Sequence, residues 1–138
     1  MNNQHIDQKL RGTLLANALF SGLSGLVMSL APSALANLMG LASSGWLLCI
    51  GVNLIAFAVF LAWLARRDSR PRPILWAVVG SDVAWVLMSV IGAMFLPHQL
   101  TQMGIFLILD LAAVVAAFAI CQSVFLSRRF PTSPSFDS

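Results

Sequence analysis

Charge is what this sequence most lacks: charged residues make up 9% of its 138 positions, whereas 59% are hydrophobic. A soluble domain carries roughly 25% charged residues. The chain therefore has too little polar surface to cover itself in water. This composition excludes an ordinary soluble domain and predicts an integral membrane protein.

Cysteine and histidine are also scarce, with two of each, and their positions exclude several kinds of chemistry. Cys49 and Cys121 form no C-x-x-C pair, so neither a thiol relay nor a cysteine metal site is indicated. His5 and His98 lie outside the apolar runs, which excludes a membrane haem held by two histidines. The serines inside the runs have no histidine or lysine base in reach. We therefore expect no enzyme, no catalytic residue, no metal and no cofactor.

The eight basic residues lie at the ends of the apolar runs. The segment before the first run, the loop between the second and third, and the tail carry two, four and two of them, and the other loops carry none. Because basic loops stay in the cytoplasm, both termini are expected to be cytoplasmic. The distribution matches no nucleic-acid-binding motif, so we expect the lipid bilayer, and no nucleic acid, as a partner. These residues are Lys9, Arg11, Arg66, Arg67, Arg70, Arg72, Arg128 and Arg129.

Four apolar runs are each long enough to span a bilayer, which takes about 20 residues. They predict an all-α fold, an integral membrane four-helix bundle, with spans at about 12–31, 45–65, 74–96 and 102–126. We expect residues 1–11 to form a cytoplasmic N-terminal segment and residues 127–138 a disordered cytoplasmic tail. The connection at 33–44 is expected to contain a short interfacial turn of helix.

The first run has a competing interpretation as a secretory signal peptide, with Ala34-Leu35-Ala36 as its cleavage site. The run is longer than the apolar part of most such leaders. It also carries a polar and small helical face, typical of a packed helix, made of Asn17, Ser21, Ser24 and Gly25. We therefore expect it to form the first span.

A weak internal repeat relates the two halves of the chain. Asn17 lies fifteen residues before Pro32, and Asp82 lies fifteen residues before Pro97. Both halves start on the same side of the membrane. If they arose by duplication, they would be parallel repeats about an axis along the membrane normal.

Asp82 and Asp110 are the only charged side chains placed deep inside any apolar run. A carboxylate near the bilayer centre costs roughly 2.5–3.5 kcal/mol on the insertion scale, so the position of each needs a reason. At 1.5 Å per residue, Asn53 and Asp110 lie about 12 Å below the outer surface, Ser21 about 15 Å, and Asp82 and Asn17 about 20 Å. Polar groups in lipid find partners only within protein. We therefore expect these helix faces to converge on one polar centre.

This polar centre is predicted to be a ligand or proton site. Because no basic residue lies inside any predicted span, we expect at least one of the two aspartates to be protonated at neutral pH. Two interpretations stay open: a hydrogen-bond network that only joins helices, worth about 0.6 kcal/mol per contact, or a functional proton or cation site. The predicted site residues are Asp82, Asp110, Asn53, Asn17, Ser21, Trp85 and Phe106.

Five alanines in the last run form a small-residue face, which either packs inside the bundle or supports a dimer. Packing inside the bundle is the expected use. The five are Ala112, Ala113, Ala116, Ala117 and Ala119.

Two stretches carry a resemblance to a known family, Asn17-Ala18-Leu19-Phe20-Ser21-Gly22-Leu23-Ser24-Gly25 and Ser81-Asp82-Val83-Ala84-Trp85-Val86. With the four-span layout, they resemble the DoxX-like four-helix inner-membrane proteins of bacteria. The resemblance implies a multi-pass protein of the bacterial plasma membrane.

The leading functional interpretation is a non-enzymatic bundle with a buried, protonatable aspartate pair. It would bind a small ligand or ion, or dock on a larger membrane complex. One alternative is a proton-coupled carrier of small amphipathic molecules that acts as a homodimer. The other is a purely structural accessory subunit, in which the two acids only join helices.

Overall fold

The computed structural model describes residues 3–131, and within that range the chain forms helices joined by short connections, without strands. Four of the helices are long and apolar enough to cross a membrane, which confirms the predicted all-α, four-span bundle. The helices are α1 (Asn3–Leu30), α2 (Pro32–Met39), α3 (Gly45–Arg66), α4 (Arg72–Phe95) and α5 (Gln102–Arg129).

Two helices extend beyond their predicted spans at the basic end of the bundle. Helix α1 is already formed at Asn3, where a polar segment was expected, because Ile6 and Leu10 of that segment are buried against the bundle. Helix α5 continues to Arg129, so the first residues of the predicted disordered tail are helical. Residues 132–138 of that tail lie outside the described range.

The closest helix contact is between α1 and α3, where two glycines face each other. A Cβ atom added to Gly25 would lie 2.7 Å from the carbonyl oxygen of Gly51, and one added to Gly51 would lie 2.9 Å from the carbonyl oxygen of Gly25. Ser21, Gly25 and Ser29 follow one another at four-residue spacing on α1. Such small-residue stripes let helix backbones approach closely in membranes.

A hydrophobic core fills the basic half of the bundle, and all four spans contribute to it. Its residues are Leu10, Leu14 and Ala18 of α1, Leu61, Leu64 and Ala65 of α3, Leu75 and Val78 of α4, and Leu126 of α5. In the other half Leu87, Met88 and Met94 of α4 are exposed and face away from the other helices. No Cα atom of α4 lies within 8 Å of one in α1 or α3.

Ion pairs tie three parts of the chain together at the basic end. Asp7 of α1 lies 2.7 Å from an Arg129 nitrogen and 3.9 Å from an Arg70 nitrogen. Arg70 also donates to the carbonyl oxygens of Leu64 and Ala65, which caps the end of α3. Burial lowers the pKa of Arg70 from its ordinary value, but an arginine stays protonated in proteins. The N-terminal part of α1, the α3–α4 loop and the end of α5 therefore meet at one end.

Helix α2 closes the opposite end of the bundle, in the connection where a short turn of helix was predicted. It ends at Gly40, whose φ of 78° is left-handed and favours glycine. The backbone N–H of Thr101 donates to the Met39 carbonyl oxygen, and its hydroxyl donates to the Leu38 carbonyl oxygen. The same hydroxyl accepts from the N–H of Gly104, which caps α5. Thr101 thus fixes the start of α5 to the end of α2.

We predict that Gly25→Ala destabilises the protein by roughly 1–3 kcal/mol, because the new methyl group would overlap the Gly51 carbonyl. The matched control is Gly80→Ala on α4, where an added Cβ would meet no atom within 4 Å. Alanine favours a helix over glycine, so the control should be neutral or stabilised. Thermal unfolding in mild detergent measures both, and equal stability of the two variants would contradict the close α1–α3 contact.

Candidate functional site

A chain of three hydrogen-bonded polar side chains lies between α1 and α4. The Nδ2 atom of Asn17 donates to Oδ2 of Asp82 at 2.8 Å. The hydroxyl of Ser21 donates to Oδ1 of Asn17 at 3.2 Å. The exposed fractions are 0% for Asn17, 3% for Asp82 and 4% for Ser21. Asn17 therefore bridges the other two residues, because its amide nitrogen donates to Asp82 and its amide oxygen accepts from Ser21.

The local sequence explains why these residues point inward. On α1, Leu10, Leu14, Asn17 and Ser21 follow one another at spacings of three or four, and all are buried. On α4, Leu75, Val78 and Asp82 repeat the same spacing. Residues at these spacings share one helix face. The hydrophobic residues pull the face into the core, and the polar residues are carried with it.

No positive charge neutralises Asp82 within the described residues. Its recorded partner is an uncharged amide, and the ion pairs of the chain lie at the basic end, around Asp7. A buried carboxylate that has only neutral partners disfavours its own charge. Among the described residues, Asp82 is therefore a buried carboxyl group whose hydrogen-bond partner is neutral.

A small cavity adjoins this polar chain. Side chains from all four spans line it, with Ser21 and Ser24 from α1, Leu54 from α3, Trp85 from α4 and Val115 from α5. Its volume is about 10 Å³, and a cavity needs about 10–15 Å³ to hold one water molecule. The cavity is thus at the lower limit of size for a single water molecule, and it lies beside the Ser21 end of the polar chain.

Asp110 does not join this centre, so the predicted convergence of the two aspartates is wrong. Asp110 is exposed and makes no hydrogen bond or ion pair among residues 3–131. The buried face of α5 contains Gly104, Ala112 and Val115. Asp110 is two positions from Ala112, which places it on the opposite side of the helix. Phe106, one turn from Asp110, is 68% exposed and also lies outside the site.

Asn53 is likewise outside the site, for the same geometric reason. It lies two positions after Gly51, a buried residue of α3 that faces α1. Asn53 is exposed, and its Nδ2 atom donates to the Cys49 carbonyl oxygen of its own helix at 2.9 Å. Its amide is partly satisfied without another helix. Of the predicted site residues, the structure brings together Asn17, Ser21 and Asp82, with half-buried Trp85 on the cavity wall.

Sequence reasoning missed one buried polar residue, Gln122 on α5. Gln122 is 2% exposed, and neither its oxygen nor its nitrogen has a hydrogen-bond partner among the described residues. A glutamine inside the last apolar run was visible in the sequence, and it was the available signal.

The predicted alanine face of α5 is divided between two sides of the helix. Ala112 and Ala119 are buried and pack inside the bundle, as expected. Ala113 and Ala117 are exposed. The helix therefore has small residues both inside the bundle and on its outer surface.

Comparisons with protein-family models, with curated proteins and with solved structures found no match to this chain.

Asn17→Ala removes the recorded hydrogen-bond partner of Asp82 and leaves a buried carboxyl group without it. We predict a loss of about 1–2 kcal/mol of stability, the upper range for interhelical hydrogen bonds in membranes. Asn53→Ala deletes the same amide from an exposed position and should change stability by less than about 0.5 kcal/mol. Thermal unfolding in detergent compares them, and a neutral Asn17→Ala would show that the contact is energetically unimportant.

Proposed function

We propose that this chain is a multi-pass protein of the bacterial inner membrane, without enzymatic activity, that binds and releases a proton at Asp82. The observation that carries the proposal is the contact of Asp82 with Asn17, in the interior and without a positive charge beside it. Ionisable residues inside membrane spans mark proton or ion sites more often than not. The resemblance to DoxX-like proteins supports the bacterial inner membrane as its location.

The cavity beside Ser21 is too small for a ligand larger than water. A space of about 10 Å³ beside Ser21 and Ser24 holds one water molecule at most. A carrier of amphipathic molecules would need a far larger path, since ligand pockets measure roughly 300–1,000 Å³. This cavity alone therefore gives the carrier alternative no path.

A structural accessory role is the second candidate, and a separate observation favours it. The Asn17–Asp82 hydrogen bond joins two helices whose backbones make no close approach. A bond in that place helps to hold α4 against α1 whether or not a proton is exchanged. The two functions differ in one respect: only the first requires the carboxyl group to titrate.

The titration can be followed through Trp85, which lies one turn from Asp82 on α4 and lines the cavity. In a variant with Trp46, Trp63 and Trp76 changed to phenylalanine, Trp85 is the sole tryptophan. We predict that its fluorescence in liposomes changes with pH, because the charge on the neighbouring carboxyl group changes. Adding Asp82→Asn should abolish the change, since an amide does not titrate.

Asp110→Asn is the control for this titration, because it removes the other intramembrane acid, which the structure places outside the site. The pH response should persist in that variant. Asparagine at position 82 can still accept from Asn17, so Asp82→Asn should insert and fold. A pH response that survives Asp82→Asn would leave the structural role as the better explanation.

The proposed orientation places both chain ends in the cytoplasm, because the basic residues gather at the end where Asp7, Arg70 and Arg129 meet. We predict that alkaline phosphatase fused after residue 131 is inactive in bacteria, whereas its insertion at the His98–Gln99 turn is active. The enzyme folds only outside the cytoplasm. The reverse pattern would invert the topology.

A further inference from the structure

We infer that Gln122 of α5 is a second hydrogen-bond partner of Asp82 and positions its carboxyl group. The contact between the two side chains is independent of the function proposed above. The effect of Gln122 on a proton held by Asp82 rests on that function. Gln122 is a positioning residue, because it acts through Asp82.

Gln122 lies in the same layer of the bundle as Asn17 and Asp82. Helices α1 and α4 begin at the basic end, where α5 ends. Asn17 lies three positions after a core residue of α1, and Asp82 four positions after one of α4. Gln122 lies four positions before a core residue of α5, whose chain direction is opposite. Each polar residue is therefore one turn outward from the hydrophobic core. The core residues are Leu14, Val78 and Leu126.

The directions of the three helices bring these side chains toward one another. A helical side chain leans toward the N-terminus of its own helix. Asn17 and Asp82 therefore lean toward the basic end, and Gln122 leans outward. Helix α5 packs against both α1 and α4, and Gln122 shares its buried face with Ala119 and Leu126. The glutamine thus points into the layer that contains the Asn17–Asp82 hydrogen bond.

Both residues have unused hydrogen-bonding capacity. Neither polar atom of Gln122 has a partner among the described residues, and within residues 3–131 the Oδ1 atom of Asp82 makes no recorded hydrogen bond. A buried amide without a partner is costly. An amide donates through its nitrogen and accepts through its oxygen, and the terminal torsion of glutamine is broad. Turning the Gln122 amide can therefore satisfy Asp82 whether its carboxyl group is protonated or ionised.

The groups that face Asp82 from the packed helices are uncharged within the described range. Helix α1 presents Asn17, α5 presents Gln122, and α3 contributes only apolar side chains to the core. The basic and acidic residues of α1 and α3, and the arginines of α5, lie in the turns nearest the basic end. The other titratable residues of these helices are exposed, and they are Cys49, Asp110 and Cys121. The two amides are therefore the polar groups that set the balance between the two forms of Asp82.

The pH response of Trp85 tests the positioning role. In the protein with Trp85 as its sole tryptophan, we expect Gln122→Met to move the midpoint of the fluorescence response to higher pH by about one unit. The carboxylate loses a donor and holds its proton more tightly, and one hydrogen bond to a charged group corresponds to about a tenfold change in an equilibrium. Gln102→Met makes the same change at the exposed start of α5 and should leave the midpoint unchanged.

Thermal unfolding in mild detergent tests the contact without reference to a proton. Gln122→Met should lower the unfolding temperature of the otherwise unchanged protein. In the Asp82→Ala background it should lower that temperature less, because the partner of the amide is already gone. Both substitutions make their spans more apolar, so the variants should insert. A glutamine without a partner predicts the opposite result, a similar rise in both backgrounds, since an unsatisfied buried group is removed.

Equal effects of Gln122→Met in the two backgrounds, of either sign, would overturn the contact. In a protein that responds to pH, an unchanged midpoint in Gln122→Met would overturn the positioning role. If the unchanged protein shows no pH response, the proposed function fails, and the unfolding comparison still decides whether Gln122 bonds Asp82.

Discussion

The hydrocarbon layer gives a polar side chain no partner of its own, and this constraint governs the placement of the polar residues in this bundle. Asn17 and Asp82 satisfy it together, through a hydrogen bond that joins α1 to α4 where the backbones stay apart. Ser21 completes the set. All three side chains are buried.

The two intramembrane aspartates show how the same residue acquires opposite roles from the helix face it occupies. Asp82 lies on the same face of α4 as Leu75 and Val78, so it points into the bundle with them. Asp110 falls between the buried positions of α5 and stays outside. A shift of two residues along either helix would exchange these environments, because it turns the side chain to the opposite side.

The sequence was sufficient for the number and type of spans and for the end at which the basic residues gather, because length, hydropathy and charge are read without knowing contacts. It also indicated that Asn17, Ser21 and Asp82 were polar groups at similar depth. It could not indicate the inward face of α3 or α5. Those helices are apolar on all sides, because a face in contact with lipid and a face in contact with protein are both made of apolar residues. Hydropathy therefore cannot distinguish the two faces. Asp110, Asn53 and Phe106 were misplaced for that reason, and Gln122 was overlooked.

The glycine contact between α1 and α3 has a consequence for the order of biogenesis. These helices are neighbours in the chain and their tight packing uses only each other's residues, Gly25 and Gly51 among them. The first hairpin can therefore assemble in the bilayer while the ribosome is still extending the rest. In that hairpin the amide of Asn17 lacks its acceptor, Asp82, until the third span is inserted. The free N–H group of Asn17 would then favour association of the first hairpin with α4, the span that carries Asp82.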